Sequence, residues 1–87
     1  MLHVVDMRVQ QDYRIWLRFS DGLEGVADLT HALDGPMFEP LRDRTLFGAA
    51  RLDADLHTVA WPHGADLAPE YLHALVTGAL QMDSTRS

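Results

Sequence analysis

"YRIWLRFSDGLEGVAD", residues 13–28, decides the fold. Tyr13, Ile15, Leu17 and Phe19 alternate with Arg14, Trp16 and Arg18. A period of two predicts a strand with one apolar face and one polar face. Ser20, Asp21 and Gly22 read as a short hairpin connection, with the glycine supplying the positive φ such loops demand. Residues 23–28, "LEGVAD", form the returning strand. Working back toward the N-terminus, residues 3–10 suit a strand with Val4, Val5, Met7 and Val9 as its apolar members. "QQD", residues 10–12, reads as the turn between the first two strands. The first third is thus predicted to be a three-stranded antiparallel meander.

Working outward in the other direction, the pattern changes at residue 29. Asp28 caps a short helical turn through Leu33. Gly35-Pro36 breaks it, and Pro40 breaks the stretch after that. Leu33, Met37, Phe38 and Leu41 read as plugs that tack this connection onto the core. Residues 44–49 suit one or two helical turns with Leu46 and Phe47 facing inward. Residues 50–53 and 57–61 read as two short strands around "ADL", the second ending at Trp61 because Pro62 offers no N–H to a ladder. A helix is predicted from Pro69 to about Gln81. Leu72, Leu75, Val76, Ala79 and Leu80 fall at the spacing of one buried helical face, and an interior Gly78 costs about 1 kcal/mol relative to alanine. Residues 82–87 read as a frayed tail. The expectation is a single α+β domain over 1–87 with an ordered core of about 3–81. Its small antiparallel sheet, the N-terminal meander plus two short strands, packs against a C-terminal helix.

Composition narrows the function classes. A chain of 87 residues makes one domain. Hydrophobic residues at 47% and charged residues at 23% are ordinary globular usage, which excludes a disordered chain. No apolar run approaches the roughly 18 residues of a spanning helix. The N-terminus shows no basic start followed by an apolar stretch, so a cytoplasmic protein is expected. The absence of cysteine excludes disulfides, thiolate catalysis and sulfur-ligated zinc. Thirteen acidic residues against seven basic ones, all arginine, leave a net charge of −6. That balance opposes nucleic-acid binding, which needs a basic patch, and favours a basic protein partner.

"WPHGADLAPEYL", residues 61–72, is the densest cluster of chemistry-bearing residues. A structural reading covers nearly all of it. Trp61 ends the strand and covers the rim of the core, Pro62 stops the ladder, and Gly64 allows the reversal. Asp66 bonds backbone N–H groups two residues on. Pro69 takes the first helical position, and Glu70 meets the positive end of the helix dipole. Only His63 is left without a structural role. The competing reading is a small-ligand or metal site built from His63, Asp66 and Glu70, but Gly64 and Pro69 break the helix that would bring the three together. The five histidines have no ligand-like spacing, and no H-E-x-x-H or calcium-loop pattern is present. No metal or other cofactor is expected. There is no cysteine, no G-x-S-x-G and no glycine-rich strand-to-helix turn, so no catalytic residue is assigned. The remaining candidate is Arg14, Trp16 and Arg18 on the polar side of the second strand. Tryptophan and arginine dominate binding hot spots. The trio reads either as an anchor for a protein partner or for a second copy of the chain, or as a tryptophan lying under a loop with the arginine stems laid over apolar surface.

Taken together, "FSDGLEGVADL", "LDGPMFEPLRD", "DADLHTVAW" and "WPHGADLAPEYL" resemble the bacterial family known as domain of unknown function 2442, over about His3 to Leu80. The resemblance implies a compact α+β domain without established catalytic residues. It further implies an antitoxin-like role beside a small protein encoded by a neighbouring gene. Some members carry a helix-turn-helix domain after this one. This sequence stops after its final helix, so direct binding to nucleic acid is not expected.

Overall fold

The alternation in residues 13–28 becomes a register of paired strands. The computed structural model describes residues 1–78. Strands β1 (Val4–Val9), β2 (Arg14–Phe19) and β3 (Glu24–Asp28) form an antiparallel sheet in the order β1-β2-β3. Ile15 stands between Val9 and Ala27, and Leu17 between Met7 and Gly25. Ile15, Leu17, Phe19 and Ala27 are fully buried, so one face of the meander forms the floor of the core. Val5 departs from its expected place among the apolar members of β1. The register shifts between Val4 and Asp6, and this bulge leaves Val5 45% exposed. The first turn also sits one residue later than expected. Asp12 and Tyr13 both have positive φ, so Tyr13 belongs to the turn and not to the strand.

The connection after β3 is built from single turns. Asp28 accepts hydrogen bonds from the N–H and hydroxyl of Thr30, and Ala32 N–H closes one turn onto the Leu29 carbonyl. Gly35 and Pro36 do not break a helix here; they begin one, α1 (Gly35–Phe38). Proline suits a first turn because its missing N–H has no partner to lose there. Glu39–Arg42 form a 3₁₀ turn, with Pro40 again in its first turn. Helix α2 (Arg44–Phe47) comes next, capped by Asp43, whose carboxylate takes the N–H groups of Thr45 and Leu46 at 2.9 and 3.3 Å. Leu33, Leu41 and Phe47 are buried, and Phe38 and Leu46 pack against them. Met37 is not a plug; it lies on the exposed side of α1.

Strands β4 (Arg51–Asp53) and β5 (Thr58–Ala60) form a separate antiparallel pair. Their turn closes on Asp53, which accepts from the N–H groups of Asp55 and Leu56. The Val4 N–H donates to the His57 carbonyl at 2.9 Å and ties this hairpin to β1. Helix α3 (Pro69–Thr77) buries Leu72 and packs Leu75 and Val76 on the core. Gly78 is not an interior residue of this helix. At φ 81° it is the left-handed cap, and its N–H bonds the carbonyls of Ala74 and Leu75, the arrangement in which glycine ends helices. The expected continuation through Ala79 and Leu80 to Gln81, and the tail 82–87, lie outside the described residues. α3 meets the sheet at Gly25, where an added Cβ would stand 2.6 Å from the Val76 Cγ1.

Candidate protein-interaction surface

The tightest constellation of the sequence, residues 61–70, is part of the fold's interior framework. Trp61 does not cover a rim; it is 1% exposed, and its indole Nε1 donates to the Phe47 carbonyl at 3.0 Å. Its N–H bonds the Ala65 carbonyl, and Gly64 N–H returns to the Trp61 carbonyl, closing a tight loop around Pro62 and His63. Gly64 has φ 100°, a conformation side chains with a Cβ avoid. Asp66 serves through its backbone, as an isolated bridge to Ala60. Among the described residues its exposed carboxylate takes no hydrogen bond, so the expected bond to the N–H two residues on is not made. Pro69 and Glu70 occupy the first turn of α3 as expected. His63 is not idle, because its Nε2 donates to the Met37 carbonyl at 3.0 Å and pins the loop to α1. His63, Asp66 and Glu70 form no cluster, and among the described residues no group of three or more His, Asp or Glu side chains is arranged to hold a metal ion.

The other histidines are spread over the molecule. The His73 ring bonds Asp21 at 2.8 Å and meets Phe19 edge-on. The Leu23 N–H, followed by His73, holds the Asp21 carboxyl below its ordinary pKa. His3 and His57 stack at 4.3 Å beside the β1–β5 junction.

Arg14, Trp16 and Arg18 lie on the face of the sheet opposite the core. The pairing extends that trio into a grid the sequence did not reveal. Arg8 and Val26 flank Trp16, Asp6 and Glu24 flank Arg18, and Asp28 stands across from Arg14. The Arg8 guanidinium lies 5.9 Å from the Trp16 ring centre, within cation–π reach. Arg18 approaches Asp6 at 3.7 Å and Arg14 approaches Asp28 at 3.8 Å. Such long, exposed pairs stabilise little, at most about 1 kcal/mol each. Asp28 is held below its ordinary pKa chiefly by the Thr30 hydroxyl and N–H, with the Arg14 charge adding to them. Trp16 is half-buried by these neighbours and Val26 is 42% exposed, which leaves an aromatic and apolar row across the centre of a charged face. Three of the seven arginines stand here with three acids, so a chain of net charge −6 is locally neutral on this face. The missed members were legible only through register. Arg8 and Val26 become neighbours of Trp16 once β1 and β3 are aligned on it.

At the end of the same sheet, a shallow depression of about 250 Å³ lies between the β1–β2 turn and α2, lined among others by Gln10, Tyr13, Arg44 and Phe47. Its walls are already engaged with one another. The Tyr13 hydroxyl donates to the Arg42 carbonyl, its ring meets Phe47 edge-on, and the Arg44 guanidinium lies over that ring and reaches Asp12 at 3.4 Å. These contacts hold Asp12 and Tyr13 in their positive-φ conformations, and the depression reads as the seam between turn and helix.

The meander, the second hairpin and the helix α3 packed on the sheet define a small α+β domain. A family model described as protein of unknown function (DUF2442) matches residues 4–78, and the chain belongs to that family. No curated protein and no solved structure matches it at a significant level. Among the described residues no helix is long and apolar enough to cross a membrane.

Proposed function

We propose that this chain is a non-catalytic cytoplasmic protein-interaction module that engages a basic protein through the outer face of its three-stranded sheet. The carrying observation is the open row Arg8–Trp16–Val26 at the centre of a face that no described element covers. Tryptophan flanked by arginine is the composition of a binding hot spot. The net charge of −6 draws a cationic partner over distance, while the balanced charge of this face lets the partner dock without repulsion. An antitoxin-like role beside a small neighbouring gene product, as the sequence resemblance implies, fits this reading and supplies the first partner to test. Co-expression with that product and recovery of a stable complex supports the proposal. Trp16→Ala then weakens the complex by about 2 kcal/mol or more. An undiminished complex with Trp16→Ala overturns the assignment of the face. The alternative, a small-ligand or metal site in the 61–70 loop, requires His63 to leave the Met37 carbonyl. Elemental analysis of tag-free protein decides it, with stoichiometric metal as the result that favours the alternative.

A further inference from the structure

The two edges of the three-stranded sheet are finished differently. On β1, Val4 N–H is taken by His57 of the second hairpin and Met7 N–H by the Asp6 carboxylate. On β3 the register settles which backbone groups point outward. Phe19 N–H donates to the Leu23 carbonyl and Leu29 N–H to the Tyr13 carbonyl, at 2.9 and 2.8 Å. In that phase Gly25 and Ala27 direct their backbone groups to β2, while Glu24, Val26 and Asp28 direct theirs away from the sheet. Among the described residues nothing hydrogen-bonds the backbone groups of those three. Helix α3 lies over the inner face at Gly25 and supplies no partner to the edge.

An open edge is a template for another strand, and its side chains say which. Glu24, Val26 and Asp28 put acid, apolar and acid in succession on the outer face. A second copy of β3 aligned on Val26 would set acid against acid at both flanking positions, in either strand direction. Like charges directly opposite one another destabilise a pair. The edge therefore rejects its own kind. We infer that β3 receives an extended segment of a basic partner by strand addition. The segment carries a basic residue opposite Glu24, an apolar residue opposite Val26 and a basic residue opposite Asp28. The added apolar side chain would continue the row Arg8–Trp16–Val26, and main-chain hydrogen bonds would supply the affinity, as in other strand-addition complexes. This rests on the reading of the chain as a protein-binding module and names the element of the partner that it holds.

The probe is a capped seven-residue peptide with arginine second and sixth, valine fourth and threonine elsewhere. It is titrated into the full isotope-labelled chain and followed by amide shifts and hydrogen exchange. The expected result is protection of the Glu24, Val26 and Asp28 amides, with affinity that falls as salt rises. N-methylation of the peptide valine, which removes one edge hydrogen bond and leaves the protein untouched, should weaken binding by about tenfold. Glutamate in place of both arginines should abolish it, and Glu24→Lys should weaken the arginine peptide. Absence of binding, equal affinity of the N-methylated or glutamate peptide, or unchanged exchange at the three amides would each overturn the inference. A natural partner captured through Trp16 with the β3 amides unprotected leaves the module standing and removes only the edge.

Discussion

The molecule places its two tryptophans in opposite circumstances. Trp61 is enclosed between the second hairpin and α2, with its ring 5.9 Å from Phe47 and its N–H spent on the Phe47 carbonyl. Trp16 stands on an open sheet face among charged side chains. The first joins segments that are distant in sequence; the second stands between Arg8 and Val26 of its own sheet. A large aromatic side chain supplies stability where its whole surface and its polar atom are satisfied inside, and leaves its surface available where they are not. The difference therefore separates a region that holds the fold from a region free to act on something else.

The strongest way to break this contrast is Trp61→Ala. It removes a buried indole and its 3.0 Å bond to the Phe47 carbonyl, which then keeps the Ala50 N–H at 3.2 Å. The expected loss is about 3–5 kcal/mol, which for a domain of this size is a large part of its total stability. A urea titration should show the chain largely unfolded or its midpoint sharply lowered. A midpoint close to that of the parent would mean that the α2–hairpin junction does not need its tryptophan, and the contrast would fail.

A second, smaller effect tests the contact between α3 and the sheet. Gly25→Ala drives a methyl to within 2.6 Å of the Val76 Cγ1. The expected cost is about 1–3 kcal/mol of overpacking. Val76→Ala in the same chain should relieve part of that cost, because the clash is with one side chain and not with backbone. If the double variant is no more stable than Gly25→Ala alone, α3 does not approach the sheet at this point. Gly64→Ala costs its stability for another reason. Open space surrounds Gly64, but its φ of 100° is strained for any residue with a Cβ, and a loss of about 1 kcal/mol is expected in the same titration.

Legibility in the sequence divides along the same line. The β2 alternation declared its inside and outside because a period of two admits one assignment once a core exists. The α3 face was equally legible through Leu72, Leu75 and Val76. The region from Asp34 to Phe47 was not. Its helices are single turns too short to show a period, so Met37 could not be told from Phe38, and Gly35-Pro36 could not be told as a start from a stop. Trp61 reads as a rim residue in the sequence because its partner is a backbone carbonyl 14 residues away, which no local pattern encodes. His63 looks idle in the sequence for the same reason, its acceptor lying 26 residues back at Met37. The candidate face was half legible. The trio on β2 was visible, but Arg8, Val26 and the acids that neutralise it needed the register of two further strands.

Acid sharpens the contrast from the side of the loops. Asp53 is held below its ordinary pKa of 3.8 by the Leu56 and Asp55 N–H groups, and Asp28 below the same value by Thr30. Asp21 shifts the same way. The folded state binds these protons less readily than the unfolded chain. Their contribution is therefore fully present above the ordinary carboxylate value and is lost as pH falls through it toward the lower folded values. Urea midpoints should hold steady at mildly acidic pH and decline below about pH 4. Asp53→Asn should flatten part of that decline. An acid limb unchanged by Asp53→Asn would show that the β4–β5 turn does not depend on its carboxylate.

The smallest expected effect on stability belongs to Trp16→Ala. Its indole is half-buried and lies among side chains that remain solvated without it. The arginine–carboxylate pairs on either side are long and exposed, and they do not need the ring to persist. A substitution of this kind usually shifts stability by under about 1 kcal/mol. The urea midpoint of Trp16→Ala should stay near that of the parent, while near-ultraviolet circular dichroism retains the signal of the buried Trp61. The two tryptophans thus report separately, one on the fold and one on the open face. If Trp16→Ala unfolds the chain as Trp61→Ala is expected to, the outer face is a second packing surface. The two regions would then be one, and an interaction surface would have to be sought elsewhere on the molecule.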